Sequence, residues 1–395
     1  MSRRIDDIEI LRAFAVLFVV LHHALGNLFT WTTPALARLG VYFGGGFGVD
    51  LFFAISGFVI ARDLLPRLQA SDNAQMSTRI TVAFWIRRAW RLLPSAWIWL
   101  ALILLASFLF NDSGAFGTLR ANVEATVAGV LQVANLRFAE TFGSREYGAS
   151  FVYWTLSLEE QFYLVLPLLA LLTRRYLPYV LIAVVIVQLL SSRTLLSVMF
   201  RTDAIALGVL LAIWSQHASY ALVRPEFLRR QGVGTAVMAG IFLCMGVVGS
   251  EVLNVVSYRF SLFAVLSALL VWMASYDLRL FVPTNPFRQA LLWVGSRSYA
   301  IYLIHVPAFF ATREIWHRVS PESAPGEELF YPFLFTAAAL IIACSELNYR
   351  FIETPLRRHG AAMARRFLQT DREPAANTGS QDDRSPNPAS AVSGP

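Results

Sequence analysis

The sequence predicts an all-α polytopic membrane protein, a bundle of about ten transmembrane helices around a central polar cavity. Three observations lead there. Of the 395 residues 56% are hydrophobic and only 15% charged, with a mean hydropathy of +0.54, a balance foreign to soluble domains. Apolar runs near the twenty residues that a bilayer demands recur along the whole chain. Arginines crowd the alternate connections between those runs.

The spans are expected at about 8–29, 47–65, 84–110, 152–173, 176–192, 202–217, 233–250, 258–276, 290–311 and 330–350. With a cytosolic N-terminus, the inward connections hold Arg3, Arg4, Arg62, Arg67, Arg79, Arg87, Arg88 and Arg91, then Arg174 and Arg175, Arg224, Arg229 and Arg230, Arg279 and Arg288, and Arg357 and Arg358. The outward ones hold fewer. By the positive-inside rule both termini face the cytosol. The first run has a basic flank like a signal peptide, but Arg12 and the lack of a small-residue cleavage site mark it as a retained span. Residues 111–151 read as an interfacial or re-entrant helix over the outer mouth. Residues 1–359 form the membrane domain, and 360–395, rich in Pro, Ser, Asn and Asp, a disordered cytoplasmic tail.

The +7 net charge is scattered between spans without the aromatic-interleaved patch that nucleic acid requires, so topology accounts for it and no nucleic-acid partner is expected. Cys244 and Cys344 both lie in apolar runs, which argues against a structural disulfide or a Cys-ligated metal.

Ionisable residues inside the spans carry the functional signal, because each costs several kcal/mol in hydrocarbon unless it faces a partner or a cavity. Arg12 and His23 lie eleven positions apart, about 20° from three full turns and roughly 16 Å along a helix, so they share a face. A snorkelling arginine and a structural histidine fit the pair equally well. Asp50 and Ser56 follow the glycines 44–46 and 48 in FGGGFGVDLFFAISGF, and Asp50, in the outer half like His23, is placed to orient its imidazole or to cap the helix. Arg88 and Arg91 share a face in FWIRRAWRLLP and suit phosphate binding or headgroup anchoring. FVYWTLSLEEQFYL supplies Glu159, Glu160 and Tyr163, of which one glutamate at most can face the seam squarely. RTDAIALG adds Arg201 and Asp203, and SYAIYLIH adds His305. His23, Asp50, Glu159, Asp203 and His305 are expected at similar heights, with Arg12, Arg88 and Arg91 at the opposite, cytosolic side.

In this order the blocks resemble acyltransferase family 3, the membrane O-acyltransferases of envelope glycans and some secondary metabolites. The resemblance covers about 5–358: Arg12 with His23, GVDLFFAISGF, RRAWRLLP, WTLSLEEQFYL with Glu159 at the family's glutamate, RTDAIALG, SYAIYLIH and RFIETPLRR. Thr155 stands where a serine is common. The expected type is the bacterial one, in the inner membrane, without the fused extracytoplasmic SGNH hydrolase-like domain that some family members carry. The resemblance further implies transfer of an acyl group, acetyl in the main reading, from cytosolic acyl-CoA to a hydroxyl of a carbohydrate, glycolipid or secondary metabolite. His23 would be the general base, oriented by Asp50 or Glu159, and Arg12, Arg88 and Arg91 would hold the donor phosphates without a metal. Ser56, Tyr163, Arg201, Asp203 and His305 complete the polar seam. The alternative is a proton-coupled transporter or flippase that uses the same buried groups as a relay. Oligomeric state is left open by the sequence.

Overall fold

The computed structural model describes residues 4–230, 232–253, 258–282, 286–321 and 325–369, and among these the secondary structure is helical, with no strand. The helices are α1 (Asp6–Asn27), α2 (Pro34–Tyr42), α3 (Gly48–Gln69), α4 (Ala74–Leu109), α5 (Leu119–Val130), α6 (Ala134–Thr141), α7 (Tyr153–Thr173), α8 (Leu177–Leu190) and α9 (Leu195–Met199). They continue as α10 (Asp203–Trp214), α11 (Ala218–Leu222), α12 (Val233–Val248), α13 (Arg259–Ser275), α14 (Pro286–Ser296), α15 (Ser298–Val319), α16 (Phe330–Leu347) and α17 (Thr354–Gln369). Each expected span coincides with helix. Among the described residues, five helical stretches are long and apolar enough to cross a membrane: Asp6–Asn27, Ala74–Leu109, Tyr153–Leu190, Leu195–Trp214 and Glu327–Gln369. Their outward faces stay apolar, with Phe108 70%, Leu172 84% and Leu190 72% exposed. Side chains of that kind belong against lipid rather than water.

α1 is the axis of the bundle. Ile8, Leu11 and Val19 pack into one apolar cluster with α3, α10 and α13, while Val16 and Ala24 pack into a second with α4, α15 and α16. Regular helix ends just past His23: Leu25 leaves the helical region, Gly26 takes a left-handed φ of 86°, and Leu28 N–H closes the turn onto the Ala24 carbonyl. α3 and α10 approach by their backbones. A Cβ on Gly57 would sit 2.1 Å from the Ile205 carbonyl oxygen, and one on Gly208 2.1 Å from that of Ala54. Small residues at such a crossing are the usual device of membrane helices, which lack a hydrophobic drive to associate.

Several boundaries differ from the sequence reading, each for a local reason. α4 begins at Ala74 rather than near 84, since the Asn73 side chain accepts the Met76 N–H as an N-cap. At 36 residues, about 54 Å, it outruns a bilayer. Its extra turns are covered by α17, which sets His359 against Trp90 (4.7 Å between rings) and Phe367 under Arg79 (5.5 Å). The tail assigned to 360–395 is therefore helical through Gln369, because the small Gly360 and Ala364 bury against the bundle; residues 370–395 lie outside the described residues. The span expected at 290–311 is two helices, α14 and α15, divided at Arg297. Residues 111–151 hold a hairpin, α5 and α6, tied to α7 where Ser157 accepts the Ala134 N–H (3.2 Å) and Gln161 donates to the Gln132 carbonyl (2.8 Å).

Candidate active site

His23 and His305 meet directly. His23 Nδ1 lies 2.8 Å from His305 Nε2, with the rings within 12° of coplanar. His305 is fully buried and its Nδ1 lies 2.8 Å from the Tyr302 carbonyl and 3.3 Å from that of Ile301. A carbonyl only accepts, so Nδ1 of His305 carries a proton, and a neutral ring then offers a lone pair at Nε2. His23 must donate from Nδ1 into it. The lone pair of His23 is left on Nε2, on the far side of the ring from His305. Phe151 meets His23 edge-on (5.3 Å), and Phe309 meets His305 likewise (5.8 Å).

No hydrogen bond joins Asp50 or Glu159 to His23 among the described residues, which corrects the expectation that a carboxylate orients the imidazole. Both oxygens of Asp50 are taken by Arg201, at 2.9 and 3.1 Å, with both residues buried. That guanidinium also lies over Phe260 (4.9 Å), Trp154 (5.2 Å) and Phe53 (5.8 Å). Asp203 pairs with Arg193 rather than Arg201, and accepts the Ala204 N–H at 3.0 Å. A buried carboxylate needs a bidentate cation more than an imidazole does, so the arginines win these contacts.

Glu159 keeps different company from that expected of it. It interacts with Ser56 and with the guanidinium groups of Arg88, Arg12 and Arg91, so it joins the arginines and not the histidines. Its helix runs beside both centres, since Phe151, just before α7, touches His23 while Glu159 lies two turns further on. Tyr163 hydroxyl donates to Ser56 Oγ (3.2 Å), and its ring together with that of Phe84 flanks Arg88 at 5.5 and 5.7 Å. Arg12 bonds Glu9 (3.1 Å), a carboxylate that also takes Arg4 (3.3 Å).

Two further carboxylates face this arginine cluster. Glu160 is within electrostatic reach of Arg88 and Arg91. Glu353 interacts with Arg91, Arg357, Arg12 and Arg297. It arrives through a π-helical turn, Asn348–Glu353, between α16 and α17; there Asn348 accepts from Trp99 Nε1 (3.1 Å) and donates to Ser95 Oγ (3.3 Å). Local widening of this kind often marks functional sites. Arg91 Nε, Glu160 Oε1 and Glu353 Oε2 are buried without a protein hydrogen-bond partner, so the cluster keeps bonding capacity for a polar ligand. RFIETPLRR contains Glu353 in plain sight, but nothing in its spacing points at a helix seven spans away in sequence. Neighbouring residues point about 100° apart, which favours one glutamate over the other in the sequence; in the structure both Glu159 and Glu160 feel the charges of Arg88 and Arg91.

The sequence pattern of the acyltransferase domain of family 3 matches residues 5–345. Among curated proteins, a peptidoglycan O-acetyltransferase, OatA, of Listeria monocytogenes is 27% identical over 383 residues, 90% of this chain and 56% of the relative. An O-acetyltransferase OatA of Staphylococcus aureus is 26% identical over 385 residues, covering 91% of this chain and 58% of the relative. The chain thus spans little more than half the length of these relatives. No solved structure matches it. With the family pattern running through nearly all of an apolar helical bundle, the chain belongs to acyltransferase family 3.

Proposed function

We propose that this chain moves an acyl group, acetyl as the names of its relatives indicate, from cytosolic acyl-CoA to a hydroxyl of a carbohydrate or glycolipid acceptor of the cell envelope. In this reading all ten expected spans cross the inner membrane, both termini lie in the cytosol, and the His23 end of α1 faces outward. Arg88, Arg91 and Arg12 hold the donor's phosphates, with Phe84 and Tyr163 fixing the Arg88 guanidinium. Arg12 and His23 are roughly 16 Å apart along α1, a span of the order of an extended pantetheine arm. The thioester then arrives beside His23.

The observation that carries the reading is the His23–His305 bond, which leaves the free lone pair of His23 on Nε2. That nitrogen takes the proton of the acceptor hydroxyl as its oxygen forms the new bond to the thioester carbonyl carbon. The tetrahedral intermediate collapses, the C–S bond breaks, and the CoA thiolate leaves with the proton that Nε2 returns. His305 accepts from Nδ1 throughout and steadies the transient imidazolium, the part that a carboxylate plays in a triad. Asp50 and Arg201 serve as the buried pair that fixes α3 against the segment before α10.

His23→Ala decides between this reading and transport. Purified in vesicles with acetyl-CoA and peptidoglycan fragments, the variant is expected to lose at least a hundredfold in acetyl transfer measured by mass spectrometry, while its thermal unfolding stays that of the parent. Full transfer by the variant would remove His23 from the chemistry. pH-driven movement of the glycan without any acetyl adduct, in the parent protein, would establish a transporter instead.

A further inference from the structure

One cation near the histidine pair plays no part in the mechanism above. Arg313 lies on α15 eight residues past His305, roughly 12 Å along the helix. Its Nη1 reaches the Asn27 carbonyl at 3.4 Å, and Asn27 in turn donates from Nδ2 to the His23 carbonyl at 2.8 Å. The guanidinium is thereby tethered, through one residue, to the turn that ends α1 at His23. Its Cζ lies 5.8 Å from the centroid of the Phe310 ring.

Other arginines near this end of the bundle are committed to carboxylates: Arg201 to Asp50, Arg193 to Asp203, Arg137 to Glu124, and Arg318 to Glu314 and Asp112. Glu314, the next residue in the chain, is fully buried and spends its oxygens on the Asp112 and Ser113 N–H groups and on Arg318. Arg313 itself has no carboxylate partner among the described residues. It is half-buried, uses one of five N–H donors, and uses that one in a long bond. A guanidinium partly out of water with its fork unfilled is matched by a bidentate oxyanion. His22 is exposed and His23 beside it is partly exposed, so the histidine end of α1 is open to a ligand.

We infer that Arg313 is an acceptor-recognition residue that takes a carboxylate or phosphate of the glycan while one of the glycan's hydroxyls meets His23; this rests on the acyl-transfer reading for the hydroxyl, though not for the oxyanion. Arg313 sets which glycan binds and where it is held. The chemistry stays with His23.

The test is binding by the full chain in nanodiscs of neutral lipid, titrated by calorimetry with N-acetylmuramic acid, N-acetylglucosamine 1-phosphate and uncharged N-acetylglucosamine. At least one of the anionic sugars is expected to bind about tenfold or more tighter than the neutral one, since a hydrogen bond to a charged group is worth roughly 1.5–3 kcal/mol. Which anion gains the advantage tells carboxylate from phosphate recognition. Arg313→Gln should abolish the preference with little change toward the neutral sugar, Arg313→Lys should keep part of it, and Arg38→Gln, an exposed arginine bonded to its own helix, should keep it all. Equal binding of the three sugars, or a preference that survives Arg313→Gln, overturns the assignment. A preference that Arg313→Gln removes, in a protein that transfers no acetyl group to any sugar, keeps the oxyanion site and rejects the acyl-transfer reading.

Discussion

At the scale of single residues, the site turns on which atom of His305 is protonated. The two backbone carbonyls at its Nδ1 decide it, and they do so from within the same helix turn, so the tautomer is built into α15 and not borrowed from a distant carboxylate. His305→Ala removes the acceptor from His23 Nδ1 and frees the ring to shift its proton to Nε2, where it cannot act as a base. A fall in kcat of roughly a hundredfold is expected, with the KM values for acyl-CoA and acceptor nearly unchanged. His305→Gln, whose side-chain carbonyl can accept the same proton, should recover part of that loss. Steady-state kinetics on both variants separate this positioning role from simple packing, since loss of packing would not be restored by an amide.

At the scale of helices, close backbone approach and local irregularity place the functional groups. The α3–α10 crossing holds Ser56 toward α7 and Asp50 toward Arg201, and it depends on two glycines. Gly57→Ala would put a methyl group 2.1 Å from the Ile205 carbonyl oxygen, which neither backbone can relieve without separating the helices. A loss of about 1–3 kcal/mol is expected, read as a lower Tm in detergent. Gly240→Ala, where nothing lies within 4 Å of the added carbon, should leave Tm unchanged. The π-helical turn is the second irregularity: six residues of altered winding between α16 and α17 end on the buried Glu353, within electrostatic reach of Arg91.

At the scale of the whole molecule, the candidate functional groups fall into two centres along α1. One holds His23 and His305; the other holds Arg12, Arg88 and Arg91 among Glu159, Glu160 and Glu353. Three carboxylates among three arginines keep the buried cluster near neutrality, so an incoming phosphate competes with protein carboxylates for the guanidinium forks. Replacing Arg88 and Arg91 together by Ala should raise the KM for acetyl-CoA about tenfold or more, with a smaller effect on the acceptor KM. Unchanged donor kinetics would reduce the pair to headgroup anchors.

The family could be read from the ordered motif blocks, and the apolar helical class and most residues of both candidate centres, Glu353 apart, from composition and pattern, because a bilayer imposes length and apolarity on each helix separately. Partnership could not. Periodicity put Arg12 and His23 on one face of α1, yet it gave Asp50 to His23, when Arg201, some 150 residues away, holds both of its oxygens. It put Glu159 at the height of the histidines, when its neighbours are the arginines. It left His305 as one polar residue among several, when it is the group that sets the proton on His23. Depth along a helix follows from counting residues, but the partner of a buried charge depends on how neighbouring helices rotate and cross, and those angles are fixed by packing between segments far apart in the chain.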